Sequence, residues 1–201
     1  MITAPTGDFN LNKAGYNFPV GRDGARAGIS FTKLGYKIGK DLKTSPKSEG
    51  NAYTYSANIK YPALRSAIRS LLISGDYNFK DMYNETTGVV TSDKSISNYS
   101  ANFIFQNIDK ILLGGYMQAV FSQSFGELDL SGAPSDLSSD QSSSGAKTDG
   151  NFSKSYMQFL RIQRIAERLD LQILGSMQLA NKNLDSSEKF TLGGIGGVRA
   201  Y

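Results

Sequence analysis

The chain has 201 residues and a formal net charge of +4. It is 39% hydrophobic and contains 21 glycines, 11 tyrosines and 11 phenylalanines but no Cys, His or Trp. Without Cys and His there are no disulfides, no thiolate chemistry, no usual zinc site and no Ser-His-Asp triad. No run approaches the roughly 18 apolar residues of a membrane helix. Met1-Ile-Thr-Ala-Pro5 lacks a basic segment followed by an apolar one, so it is not a signal peptide, and the chain is expected to begin inside a longer product. The densest basic group, Lys33, Lys37, Lys40, Lys43 and Lys47, has no aromatic platform and reads as a solvated loop, not a nucleic-acid surface. No phosphate-binding glycine motif precedes a helix, so no nucleotide or other cofactor is implied.

Period-two alternation dominates the chain. A first strand is expected over 25–38, with less regular alternation. In 51–61, Tyr53, Tyr55, Ala57, Ile59 and Tyr61 oppose Thr54, Ser56, Asn58 and Lys60. In 70–81, Leu71, Ile73, Gly75, Tyr77 and Phe79 oppose Leu72, Ser74, Asp76, Asn78 and Lys80. In 97–107, Tyr99, Ala101, Phe103 and Phe105 oppose Asn98, Ser100, Asn102 and Gln106, with Ile104 an exception. Less regular strands follow over 111–129 and 152–164. A clean one runs over 169–180, where Leu171, Ile173, Gly175, Met177 and Leu179 share a face. That makes seven strands. Facing is inconsistent in 152–164, which suggests a bulge. Leu64, Ala67, Ile68, Leu71 and Leu72, and likewise Ile162, Ile165, Ala166 and Leu169, also fit helical spacing. Pro62 and the alternation on either side favour short turns there.

Ten residues at about 3.3 Å each, tilted by about 40°, span about 25 Å, the apolar height of an outer-membrane barrel. Tyr53 and Tyr61 suit its interfacial aromatic girdles. Long polar connections are expected at 39–50, 84–94, 130–151 and from 181 onward, and short ones at 62–69, 107–110 and 165–168. That alternation matches external loops and periplasmic turns. The Ser-, Asp- and Gly-rich 130–151 segment reads equally well as a mobile external loop or a plain linker. The expected fold class is therefore all-β: a transmembrane antiparallel β-barrel domain over 1–201, present in part.

The chain ends in Glu188-Lys-Phe-Thr-Leu-Gly-Gly-Ile-Gly-Gly-Val-Arg-Ala-Tyr201. Glycines let a backbone approach a wall closely, and a guanidinium can grip a carboxylate with two parallel hydrogen bonds. On this chemistry alone, a loop tucked into a conduit and a glycine-rich hairpin tip with a surface Arg are equally open. From Asn181 onward, however, the run resembles the sixth extracellular loop of two-partner secretion transporters, the haemolysin and filamentous-haemagglutinin secretion/activation proteins. Pro19-Val-Gly-Arg-Asp-Gly-Ala-Arg26, Asp129–Asp136 and Asn151–Lys154 resemble their barrel segments.

The resemblance implies a sixteen-stranded barrel with periplasmic polypeptide-transport-associated domains and a plug helix. It also implies a sixth loop folded into the lumen, whose Arg meets an acidic group on the wall. Phe190, Gly193, Gly194, Val198, Arg199 and Tyr201 match that motif, whereas Ala200 stands where the family often has Gly. The implied function is export of a large β-solenoid exoprotein across the bacterial outer membrane, together with help in activating it. The exoprotein and outer-membrane lipid would be the partners, with Asp76, Lys80, Asn58 and Lys60 as candidate contacts to the passing chain. A general porin or adhesin-type barrel is the alternative. An enzyme finds no support, because acidic residues such as Glu127 and Asp129 have nothing to orient them as acid and base. With unpaired edges, the isolated chain is expected to be non-functional.

Overall fold

The computed structural model describes residues 9–38 and 47–190, together with the backbone of 2–6. The described residues form one antiparallel meander of nine strands in sequence order: β1 (Ile2–Thr6), β2 (Phe9–Val20), β3 (Ala25–Ile38), β4 (Ser48–Arg65), β5 (Arg69–Thr86), β6 (Val89–Asp109), β7 (Gly115–Asp129), β8 (Gly150–Ala166) and β9 (Leu169–Ala180). One helix, α1 (Pro134–Gln141), lies between β7 and β8. No described helix is long and apolar enough to cross a membrane. Among the described residues β1 and β9 each pair on one side only, so the sheet is open.

All seven expected strands form, and two more precede them. Alternation in β2 is interrupted by asparagines, and Pro19, which donates no ladder hydrogen bond, sits one residue from the strand end where the loss is tolerated. Five-residue β1 contains Pro5 and is too short to show a period. The two stretches that also fit helical spacing are strands separated by short turns at 66–68 and 167–168, as Pro62 and the flanking alternation favour.

The expected long loop at 84–94 is also corrected. There β5 and β6 run on as a paired ribbon and reverse through Thr87 and Gly88, with φ of 54° and 78°. Two positive-φ residues are what a tight, right-twisting hairpin requires. At the other end, the strand expected from 111 begins at Gly115.

The expected break in β8 lies at its end, between Arg164 and Ala166, leaving 152–164 in continuous register. Irregularities also fall between Pro62 and Leu64 and between Asn84 and Glu85.

The register places the alternating residues on two contrasting faces. Tyr16, Ile29, Tyr55, Phe79, Tyr99, Phe103, Phe121, Met157 and Ile173 share one face through successive cross-strand pairs. Their rings meet across the strands: Phe31 and Tyr55 lie 5.1 Å apart, Tyr77 and Tyr99 4.7 Å. Such pairs stabilise adjoining strands by about 0.2–1 kcal/mol each. Tyr99 is nonetheless 62% and Phe125 60% exposed, so this large apolar surface is covered by none of the described residues and suits a hydrocarbon solvent. Gln123 and Ser155, a polar pair on it, satisfy each other through a 2.5 Å hydrogen bond.

The opposite face carries Ser56, Asn78, Ser74, Asn102, Ser122 and Gln178, joined by bonds such as Ser56 Oγ to Asn78 Oδ1 at 2.7 Å. The small buried core also lies on this polar face, at its loop end. Ile96, Leu128, Leu130, Phe152 and Leu184 form it, with Met82 and Leu137 against them. A Cβ on Gly126 would lie 2.5 Å from the Phe152 ring, so glycine is what lets that ring approach the strand so closely.

Phe79→Arg in the membrane-embedded protein is expected to cost about 2–4 kcal/mol, whereas Ser100→Arg on the polar face is expected to be near neutral. Urea titration of folding into lipid vesicles measures both.

Candidate functional site

The segment after β9 turns back over the polar face. Asn181 Oδ1 accepts from the Ser153 amide at 2.8 Å, and Lys182 Nζ donates to the Asp149 carbonyl at 2.6 Å. Leu184 then enters the apolar core. Asp185 receives Lys94 Nζ at 2.7 Å on one oxygen, and the Ser187 amide and hydroxyl at 2.9 and 2.7 Å on the other. Glu188 is only 4% exposed. Lys80 and Lys154 each donate to one of its carboxylate oxygens at 2.6 Å, and Asn98 Nδ2 adds a 3.3 Å contact. Lys154 and Gln178 also bind the Glu188 carbonyl, at 3.0 and 3.3 Å. The Phe190 ring lies 6.0 Å from Tyr156, another polar-face residue.

Five strands cooperate in this latch. Lys80 comes from β5, Lys94 and Asn98 from β6, Lys154 and Tyr156 from β8, Gln178 from β9, and Leu128 from β7 supplies apolar floor. Burial by itself would raise the Glu188 carboxyl. The hydrogen bonds and charges of Lys154 and Lys80 outweigh it and hold the group below the ordinary glutamate range. Asp185 behaves alike: burial raises it, and Lys94 with the two Ser187 donors brings it below the usual value.

A neighbouring element stiffens the frame. The 130–151 segment is built around α1 and Asp140, whose carboxylate accepts from the Thr148 amide and hydroxyl and the Asp149 amide at 2.8–3.1 Å. Burial opposes that carboxylate's charge, and the donors prevail and lower its pKa. Asp149 in turn accepts from the Leu130 amide, and Asp136 from Ser92.

Of the residues singled out in sequence, Phe190 stands on the polar face beside Tyr156. Gly193, Gly194, Val198, Arg199 and Tyr201 lie outside the described residues. Two of the four candidate chain contacts are engaged within the protein: Lys80 on Glu188, and Asp76 with Ser74 at 3.0 Å and Asn102 at 2.5 Å. Asn58 and Lys60 line the polar face. Glu188, Asp185, Lys94 and Lys154 went unnoticed as a group. Alternation signals the face of a lysine, and nothing local signals a carboxylate 108 residues away.

Glu188→Gln keeps the shape of the latch and removes its charge, leaving two lysines with 29% and 17% side-chain exposure facing an amide. It is expected to cost about 2–4 kcal/mol of docking, less than a fully buried pair because both ammoniums keep some water. Trypsin cleavage after Lys189 should accelerate by about tenfold or more.

Because both carboxyls titrate low when docked, docking stability is complete above their ordinary values of 3.8 and 4.5. It is lost as pH falls through the depressed docked values. A spin label on exposed Ser186 should pass from ordered to mobile over that acid range and stay unchanged between pH 5 and 8.

No protein-family model matches the chain. Over 201 residues it is 26% identical to the heme/hemopexin transporter protein HuxB of Haemophilus influenzae strain 86-028NP, covering 96% of this chain and 34% of that protein. HuxB of strain ATCC 51907 / DSM 11121 / KW20 / Rd gives 26% over 199 residues with the same coverage. Among solved structures, CdiB from Escherichia coli superposes with a TM-score of 0.74 at 18% identity, over 95% of this chain and 34% of that one. The chain thus spans about a third of the length of these relatives. In a barrel of that fold an apolar face of this kind would meet lipid and a polar face the lumen. HuxB and CdiB are both two-partner secretion transporters, so the chain is similar to members of that family, and its sheet has the fold of a stretch of their outer-membrane β-barrel.

Proposed function

We propose that this sheet lines the conduit of an outer-membrane pore that exports a large β-solenoid exoprotein, such as a haemolysin or adhesin, from periplasm to cell surface, and that it does so as part of a longer polypeptide whose further strands complete the barrel. Kinship with secretion transporters supports export in general. The observation that carries the finer reading is the course of 181–190. These residues descend along the lumenal face and are held there by Glu188 on Lys80 and Lys154. In this reading the glycine-rich run that follows, with Arg199, would enter the conduit, where an Arg can grip a wall carboxylate through two hydrogen bonds. With nine strands before the loop, not seven, the sheet would begin at the third strand of a sixteen-stranded barrel.

The chemistry asked of such a conduit is modest. Ser, Asn and Gln side chains already hydrogen-bonded to one another offer an unfolded polypeptide a wetted, weakly binding wall. No cofactor or nucleotide takes part in this reading, and folding of the exoprotein outside would draw it through. Lipid seals the apolar face, and the nine strands alone, with both edges unpaired, would not conduct.

Arg199→Lys keeps the charge and loses the two-pronged grip. It is expected to reduce exoprotein in the culture supernatant about tenfold, the effect of losing one charge-assisted hydrogen bond of ~1.4 kcal/mol. Barrel abundance in the outer membrane should stay constant. Undiminished secretion would remove Arg199 from the mechanism. Solute flux through reconstituted vesicles without exoprotein export would favour a general porin.

A further inference from the structure

The two ends of the sheet use different cations. Every arginine among the described residues lies at the end with the short turns, from Arg22 in the β2–β3 turn to Arg168 in the β8–β9 turn, whereas lysines dominate the loop end. Part of this arginine set faces the lumen. Arg26 on β3 and Lys60 on β4 are direct cross-strand partners, in the row that continues to Ser74 and Asn102.

Like charges placed opposite each other destabilise an antiparallel pair unless an anion sits between them. Neither residue makes an ion pair among the described residues. The nearest lumenal carboxylate, Asp76, is one diagonal away and is taken by Ser74 and Asn102.

A third cation joins them through the bulge between Pro62 and Leu64. Uninterrupted alternation would turn Arg65 toward lipid. The shifted register instead pairs it with Ser70, which bonds Gln106 on the lumenal face. Bulges re-aim side chains in this way. Lys60 and Arg65 are thus spaced about 13 Å apart along one strand, too far to share one small ion and well placed for carboxylates along an extended chain.

We propose that Arg26 and Lys60, extended by Arg65, form an anion-capture site at the turn-side mouth that engages acidic segments of a polypeptide entering the conduit. The site rests on the export reading for the identity of its ligand. Lipid phosphates are the less favoured source, because these side chains share the lumenal face and not the one that meets hydrocarbon. Arg69 and Arg161, on the lipid face, are instead held by Asn107 and Asp109.

The test is current block of the full-length barrel protein in planar bilayers, with polyglutamate or polyglutamine of equal length added to either side. Polyglutamate should block from the turn side. The R26Q/K60Q variant should raise its half-blocking concentration about tenfold, the scale on which a charged mouth concentrates an oppositely charged ligand. Polyglutamine should block weakly and equally in both proteins. Heat-modifiable migration verifies folding. Should the double variant fail to fold, K60Q alone should still weaken block about threefold, and the charge-preserving R26K/K60R should retain it.

Equal block of parent and variant by polyglutamate, or equal block by the two peptides, overturns the proposal. So does loss of insertion into anionic-lipid vesicles with block unchanged, which would assign the cations to headgroups. Selective polyglutamate block in a protein that secretes nothing would leave the capture site standing and remove the export reading.

Discussion

The structure depends on pairing every strand while its side chains alternate between two solvents. Backbone donors and acceptors within the sheet are satisfied by the neighbouring strand, as a lipid setting demands. That leaves the side chains to decide orientation, and they divide cleanly: Tyr55, Phe79, Tyr99 and Phe103 on one side, Ser56, Asn78, Ser100 and Asn102 on the other. The usual burial logic is inverted. Large aromatics are exposed, and the most enclosed ionised group, Glu188, lies against the polar face. A one-residue slip in any strand would exchange the two faces, so register and membrane orientation are one constraint.

That constraint also explains how a loop can be held inside. A polar wall offers lysines at fixed heights, here Lys80, Lys94 and Lys154, and the returning segment supplies Asp185 and Glu188 to meet them. Burying a carboxylate is costly unless it is paired and hydrogen-bonded. Glu188 has two ammoniums and an amide donor, and its carbonyl accepts from one of those ammoniums, Lys154, and from Gln178. The apolar cluster of Ile96, Leu128, Phe152 and Leu184 sets the depth at which the segment enters. Hydrophobic contact thus places the loop, and charge fixes its register along the wall.

Long alternating strands were legible from sequence because each residue of β4, β5, β6 and β9 reports its own face. What escaped detection lacked a local period. Pro5 and Pro19 hide β1 and β2. Thr87-Gly88 reverses a ribbon whose polar composition imitates a loop, since beyond the bilayer neither face of a hairpin needs to be apolar. A bulge such as that at Pro62–Leu64 reverses facing without altering composition. The latch is the extreme case: its partners are brought together only by the meander. The family resemblance singled out the run from Asn181 onward, and the fold shows what seats its first ten residues.

The central claim is that successive residues of one strand meet hydrocarbon and water in turn. Nitroxide labels at Tyr55 and Ile73, with Ser56 and Asn102 as counterparts, test it in the membrane-embedded protein by collision with oxygen and with a water-soluble nickel complex. Oxygen is expected to dominate at Tyr55 and Ile73 and the nickel complex at Ser56 and Asn102. Aqueous exposure at all four positions, or hydrocarbon at the second pair, would contradict it.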